Sequence, residues 1–161
     1  MNITPLKTND VSVKGASKTL VYGLHGSGKT TQCANYAKAF GKGIILSGES
    51  GLSSISDIDI DYLPFTTFDR TANSGHSFRD LMMYVASSEF KKQGYKWIAI
   101  DSATELSQKC FADVEAELGD QKNGFEKWGL YERKITAALK WVRDLDMHVL
   151  ITALAAEEAD D

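Results

Sequence analysis

The sequence predicts an α/β fold in which helices cover both faces of a mostly parallel sheet. Three stretches are apolar almost throughout, as in strands that are buried on both faces: GIILS at 43–47, KWIAID at 96–101 and MHVLIT at 147–152. Segments with apolar residues at helical spacing separate them, and this alternation favours a parallel sheet. Right-handed crossovers then bring the carboxyl ends of the strands to one edge, where open α/β sheets bind ligands.

Local patterns place the elements in the first half of the chain. The stretch TLVYG at 19–23 predicts a short strand that runs into a glycine-rich turn. A helix is predicted over 29–40, with Gly41 as its natural end. Asp and Ile alternate within 57–65, which predicts a half-exposed strand that ends at Pro64.

The second half of the chain is predicted to hold further helices. A polar loop at 69–77 ends in Ser77, a suitable cap for the first of them. Apolar residues recur at helical spacing in each: Phe78, Leu81, Met82 and Val85; then Leu106, Cys110, Phe111, Val114 and Leu118; then Trp128, Tyr131, Ile135, Ala138, Leu139, Val142 and Leu145. An Asn-Gly pair predicts a loop over 119–129. Because Trp128 is in phase with the apolar face of the last helix, we expect it in the core.

Length and composition limit the class of protein. The chain has 161 residues, 43% of them apolar, which fits an N-terminal segment at 1–17 and one domain over 18–161. No apolar run approaches the roughly 18 residues of a membrane-spanning helix, and the N-terminus lacks the apolar core of a signal peptide. Cys33 and Cys110 lie outside any CxxC motif, so we expect reduced, buried thiols in a cytoplasmic protein.

The most specific motif is GLHGSGKT at 23–30, which matches the phosphate-binding pattern G-x-x-x-x-G-K-[ST] between a predicted strand and a predicted helix. Its glycines let the backbone approach phosphate groups, and the helix start adds partial positive charge. We expect Lys29 to reach the β- and γ-phosphates and the Thr30 hydroxyl to ligate Mg²⁺. The predicted nucleotide-binding residues here are Gly23, Leu24, His25, Gly26, Ser27, Gly28, Lys29, Thr30 and Thr31.

Two acidic residues follow predicted strands. Apolar residues of the second buried stretch lead to Asp101, an arrangement in which the acid holds Mg²⁺ through water. Ser102 comes next, and two roles are predicted for it: a helix cap, and a hydrogen-bond partner near the metal or the γ-phosphate. One residue can fill both. Glu49 lies two residues past the first buried stretch and is flanked by glycines. It is either a base that deprotonates the attacking water or a simple loop glutamate.

Together, GLHGSGKTT, ILSGESGL and WIAIDSATEL resemble the RecA-type ATPase core. In that family the strand after the phosphate-loop helix ends in the catalytic Glu, which corresponds to Glu49. The Walker B strand ends in Asp-Ser, which corresponds to Asp101 and Ser102. The next buried strand carries a polar sensor at its tip, which corresponds to Thr152. Over roughly residues 18–154, the chain looks most like small bacteriophage ATP-binding proteins linked to single-strand annealing and recombination.

The sequence departs from the RecA-type pattern at the end of the sensor strand. Recombinases of this type usually carry Gln there and relatives often His, whereas Ala153 and Leu154 follow Thr152 in this chain. The family core also continues with further strands, so we expect a chain that is truncated at its C-terminus.

The resemblance implies a Mg-ATP-dependent ATPase that acts on single-stranded DNA in phage-type annealing or recombination, in the host cytoplasm and away from membranes. It also implies a homo-oligomer, a ring or a filament, in which one arginine reaches a neighbour's γ-phosphate; the candidates are Arg70, Arg79, Arg133 and Arg143. The net charge of −4 argues against a broad nucleic-acid surface. The candidate contacts to single-stranded DNA are the charged and aromatic residues Lys122, Phe125, Lys127 and Trp128.

Two other functions also fit the phosphate loop. An ATP-binding switch or assembly protein, which hydrolyses slowly and binds a protein partner, agrees with the acidic charge and the missing sensor residue. A small-molecule kinase agrees less well, because no Arg-rich lid is evident and Glu49 argues for a strand inserted beside the phosphate-loop strand.

Overall fold

The fold is seen in a computed structural model, which describes residues 15–49, 51–72, 75–119 and 123–155. Most of the predicted N-terminal segment, Lys122 and residues 156–161 lie outside the described residues. The described strands are β1 (Lys18–Gly23), β2 (Gly43–Ser47), β3 (Asp61–Thr67), β4 (His76–Ser77), β5 (Trp97–Asp101) and β6 (His148–Leu154). The described α-helices are α1 (Gln32–Phe40), α2 (Phe78–Ala86), α3 (Ser88–Lys92), α4 (Ala103–Leu118) and α5 (Gly124–Asp144).

The six strands form one parallel sheet in the order β1-β6-β5-β2-β3-β4, which confirms the predicted fold class. Both β5 and β6 lie between β1 and β2, so α1 crosses two strands before the chain re-enters the sheet. Because all strands are parallel, the carboxyl ends of β1, β6, β5 and β2 lie side by side at one edge.

Two apolar layers enclose the sheet, one on each face. In β2, Ile44 and Leu46 pack with residues of α2, α4 and α5, whereas Ile45 packs with Cys33 of α1 and with Trp97. Successive residues of a strand point to opposite faces, so one buried strand supplies both layers. Among the described helices, none has the length and apolar character that crossing a membrane requires.

Several predicted boundaries are confirmed by the local contacts. Gly41 ends α1 with φ 81°, and Gly119 ends α4 with φ 63°. Ser77 caps α2 through a reciprocal capping box with Asp80. Cys33 and Cys110 are both buried and free, and burial raises the pKa of each thiol to about 12.

The prediction that Pro64 ends a strand is wrong. The strand β3 begins later than predicted, at Asp61, and continues through Pro64 to Thr67. Pro64 is the last residue of β3 that pairs with β2, and pairing with β4 begins at Phe65. The absent N–H therefore falls where one ladder of hydrogen bonds gives way to the next.

The prediction of a loop over 119–129 is wrong from Gly124 onwards. Asn123 does not form a turn but caps α5, with its side chain accepting a hydrogen bond from Glu126 N at 3.0 Å. The predicted burial of Trp128 is also wrong, because its side chain is 60% exposed. Its ring contacts are Phe111 at 4.8 Å and Tyr131 at 5.4 Å between ring centroids, and they leave most of the indole uncovered.

The close contact of β2 with β5 gives a test of core packing. A β-carbon at Gly43 would lie 1.9 Å from the ring of Trp97, which is fully buried. We expect Gly43→Ala to lower the free energy of unfolding by about 1–3 kcal/mol or more, because the ring has no space to move into. Urea denaturation followed by tryptophan fluorescence measures the loss.

Gly129→Ala is the matched control, because a β-carbon at Gly129 meets open space within α5. Its expected effect is neutral to stabilising by up to about 1 kcal/mol, as for any exposed helical glycine. Equal stability of wild type and Gly43→Ala would contradict the described packing.

Candidate nucleotide-binding site

The loop between β1 and α1 has a backbone that glycine makes possible. Gly26 and Gly28 have φ values of 74° and 81°, a region in which a β-carbon would be strained. At Gly23 a β-carbon would approach Ser27 Oγ to 2.7 Å. Regular helix starts only at Gln32, later than predicted, after a tight turn closed by Gln32 N donating to Lys29 O at 3.0 Å. The loop is thus a compact turn at the N-terminus of α1.

Lys29 folds back over this loop. Its Nζ donates to the carbonyl oxygens of Gly23 at 3.0 Å and Leu24 at 2.8 Å. These bonds hold a positive charge just before the N-terminus of α1, where the helix dipole also favours anions.

Asp101, at the end of β5, brings a buried carboxylate to the site. It is 2% exposed and accepts hydrogen bonds from Thr30 Oγ1 on Oδ2, at 3.0 Å, and from the Thr152 hydroxyl on Oδ1. Its main-chain oxygen accepts from Gly48 N at 2.7 Å. Its negative charge adds to burial in raising the pKa of Cys33, which lies beneath it in α1.

Glu49 and Ser102 meet just beyond the ends of the paired strands β2 and β5. Ser102 Oγ donates to Glu49 Oε1 at 2.5 Å and accepts from Glu105 N at 3.3 Å. The predicted capping role of Ser102 is therefore confirmed, and its hydroxyl also donates to Glu49, a contact that the sequence did not predict. Glu49 is otherwise exposed.

A cavity of about 390 Å³ lies between the phosphate-loop motif and α4. Its lining residues are His25, Lys29, Gly48, Glu49, Thr104, Glu105, Gln108 and Leu154. The predicted residues Lys29 and Glu49 therefore border one polar cavity although they are far apart in sequence. Sequence reasoning missed Thr104, Glu105 and Gln108, which follow Asp101 and Ser102 on the first two turns of a helix and so face the same edge.

Thr152 does not lie at the tip of its strand. The strand β6 runs two residues further, to Leu154, whose N–H donates to Thr104 Oγ1 at 2.9 Å. Thr152 is fully buried, and its hydroxyl is engaged by Asp101. Thr31 is the N-cap residue of α1 and makes no side-chain capping bond.

Two of the candidate arginines have acidic partners. Arg70 Nε lies 3.4 Å from Asp113 Oδ1, and Asp113 is buried in α4. Arg143 pairs with its neighbour Asp144 at 2.7 Å. Neither lines the cavity beside Lys29.

Comparison with protein-family models gives a match over nearly the whole chain. The model described as "AAA domain" matches residues 16–161, which include the phosphate-loop motif and every side chain of the site. A search of the curated proteins gives no match.

The bond between Thr152 and Asp101 gives a test of how the site is held together. Thr152→Val keeps the shape of the side chain but removes the donor to a buried carboxylate. We expect the free energy of unfolding to fall by about 1–3 kcal/mol, the cost of an unsatisfied buried group. Chemical denaturation measures it, with Thr71→Val, at an exposed position, as a control expected within about 0.5 kcal/mol of wild type. Equal values for both variants would contradict the bond.

Proposed function

The chain belongs to the AAA domain family of P-loop ATPases, and on that premise we propose which residues bind and hydrolyse Mg-ATP and which partner the reaction serves. The family accounts for ATP binding and ATPase activity. The single observation that carries the proposed mechanism is that Lys29 and Glu49 border one cavity while Thr30, next to Lys29, bonds to Asp101.

The phosphate loop binds the triphosphate of ATP. Gly26 and Gly28 allow the tight turn, and the N-terminus of α1 contributes its partial positive charge. Lys29 exchanges its two carbonyl acceptors for oxygens of the β- and γ-phosphates, which are stronger partners because they are charged.

Thr30 and Asp101 fit a magnesium ion. Their side chains offer a hydroxyl and a carboxylate oxygen 3.0 Å apart, and hard oxygen donors of this kind are what Mg²⁺ takes alongside phosphates and water. When bound, the ion neutralises the charge that develops on the β- and γ-phosphate oxygens. Thr152 holds the second oxygen of Asp101 and so keeps the carboxylate turned towards Thr30.

Glu49 acts as the base. The oxygen of a water molecule forms a bond to the γ-phosphorus as the bond to the β–γ bridging oxygen breaks, leaving ADP and phosphate. The proton of the water passes to the Glu49 carboxylate. Ser102 donates to one oxygen of that carboxylate, which leaves the other for the water.

A pair of variants tests these roles. Glu49→Gln keeps the size of the side chain but removes the base, so we expect ATP affinity to change little and turnover to fall about 10²- to 10⁴-fold. Lys29→Ala removes the charge that binds phosphate, so we expect ATP affinity itself to be lost. Fluorescent-nucleotide titration and phosphate release measure the two quantities. Normal turnover by Glu49→Gln would remove Glu49 from the mechanism.

The proposed partner is single-stranded DNA, in annealing or recombination of the phage type, with the chain acting as a homo-oligomer. Two exposed aromatic side chains near the start of α5 support a partner that stacks: Phe125 is 88% exposed and Trp128 is 60% exposed. Lys127 lies between them in sequence and adds a positive charge. Bases of any identity stack on such rings.

A steady-state assay tests the DNA partner. We expect single-stranded DNA to stimulate ATP hydrolysis, and Trp128→Ala to weaken DNA affinity by roughly 5- to 150-fold, the range for the loss of one stacked base. Met83→Ala, at another exposed apolar position, is the control and should match wild type.

If the rate of ATP hydrolysis is the same with and without DNA while the nucleotide still binds, the result would instead favour an ATP-dependent switch that binds a protein partner. The short bond that already occupies Glu49 in the structure is compatible with the slow hydrolysis of such a switch. Transfer of phosphate to a nucleoside or metabolite would reveal a kinase.

A further inference from the structure

We propose that Lys109 is a positioning residue that fixes the direction of Glu49 by holding the peptide before it. This inference rests on the proposed role of Glu49 as the base. Lys109 lies in α4 and does not line the described cavity beside Lys29, so it acts through the backbone and not on the nucleotide.

Hydrogen bonds hold the backbone on both sides of Glu49. Before it, Gly48 N donates to Asp101 O at 2.7 Å, and Gly48 O accepts from Lys109 Nζ at 3.1 Å. After it, Glu49 O accepts from Ser47 Oγ at 2.8 Å. The peptide planes that determine where the Glu49 side chain points are thus both held, and Lys109 is the charged member of the set.

Lys109 is itself held in place. Its Nζ donates to Glu105 Oε2 at 2.6 Å, one helical turn earlier, and the two side chains are only 20% and 29% exposed. The ammonium also lies 5.9 Å from the centre of the Phe65 ring. Because the pair is largely shielded from water, its hydrogen bonds are worth more than those of a surface ion pair.

The contacts form a closed ring through the site. Glu105 N donates to Ser102 Oγ, Ser102 Oγ donates to Glu49, and the chain returns through Gly48 to Lys109. The side chain of Glu49 and the peptide before it are therefore both held by residues at the start of α4, Ser102 and Lys109.

Gly48 has no room for a side chain. A β-carbon there would lie 2.6 Å from the Phe65 ring and 2.9 Å from Glu105 Cβ. The peptide before Glu49 is therefore held only through its backbone atoms, and Lys109 is the donor to its carbonyl oxygen. Without the ammonium, the peptide between Gly48 and Glu49 loses its charged partner and can rotate, which moves the carboxylate away from the attacking water.

The test compares Lys109→Met with Lys109→Arg. Misplacing a catalytic group by about 1 Å costs up to about 100-fold in rate, so we expect Lys109→Met to lower kcat by about 10- to 100-fold. The KM for ATP and the affinity for fluorescent nucleotide should stay within about twofold, since the phosphate loop is untouched. Lys109→Arg keeps a charged donor and should recover most of the rate. Lys38→Met, an exposed lysine in α1, is the matched control and should match wild type.

A double-mutant cycle then shows whether Lys109 acts through Glu49. In the Glu49→Gln background, Lys109→Met should cause no further loss of single-turnover rate, because there is no base left to misplace. Equal losses in the two backgrounds, a loss of nucleotide affinity, or full kcat in Lys109→Met would each overturn the inference. Should Lys109→Met fail to fold, Lys109→Gln provides the second variant: it keeps a polar side chain without the charge and should lower kcat with the KM for ATP unchanged.

The same data separate this inference from the proposed function. If Glu49→Gln hydrolyses ATP normally, the proposed base is wrong and the role of Lys109 falls with it. If Glu49→Gln is inactive while Lys109→Met is fully active, only the role of Lys109 is overturned.

Discussion

The site depends on the need to satisfy one buried carboxylate. Asp101 is 2% exposed, and an ionised group so far from water is costly unless donors surround it. Its side chain accepts hydrogen bonds from Thr30, in the turn before α1, and from Thr152, in β6. Its main-chain oxygen takes the N–H of Gly48, beyond β2. One residue thus joins segments that are far apart in the sequence and fixes the distances between them.

Strand order makes this convergence possible. Because β6 and β5 lie between β1 and β2, the carboxyl end of β5 sits in the middle of the edge, with the phosphate loop on one side and Glu49 on the other. A site assembled from strand ends inherits the rigidity of the sheet, while the loops that follow supply the chemistry.

The helix α4 extends this network away from the loop between β1 and α1. Its first turn holds Glu49 through Ser102, and its second turn holds Gly48 through Lys109. Further along, Ser107 Oγ and Tyr131 OH share a hydrogen bond of 2.6 Å, and the Phe111 ring packs on Trp128. The helix α4 therefore contacts both the edge of the sheet that carries Glu49 and the exposed aromatic side chains of α5.

The sequence by itself determined the glycine-rich loop motif, the parallel α/β class and the places of Glu49 and Asp101, one just beyond a buried strand and one at the end of the next. Each of these depends on contiguous residues or on local periodicity. The short elements α3 and β4 escaped prediction because five and two residues carry no periodic signal. Asn123 could have been recognised as a cap from the Glu three positions later, but the adjacent glycine favoured a turn.

Only the tertiary structure decided that Thr152 donates a hydrogen bond to Asp101, that Lys109 donates one to the Gly48 carbonyl, and that Trp128 is exposed. Those outcomes depend on which helix packs against which strand, and local sequence does not encode contacts between residues so far apart in the chain.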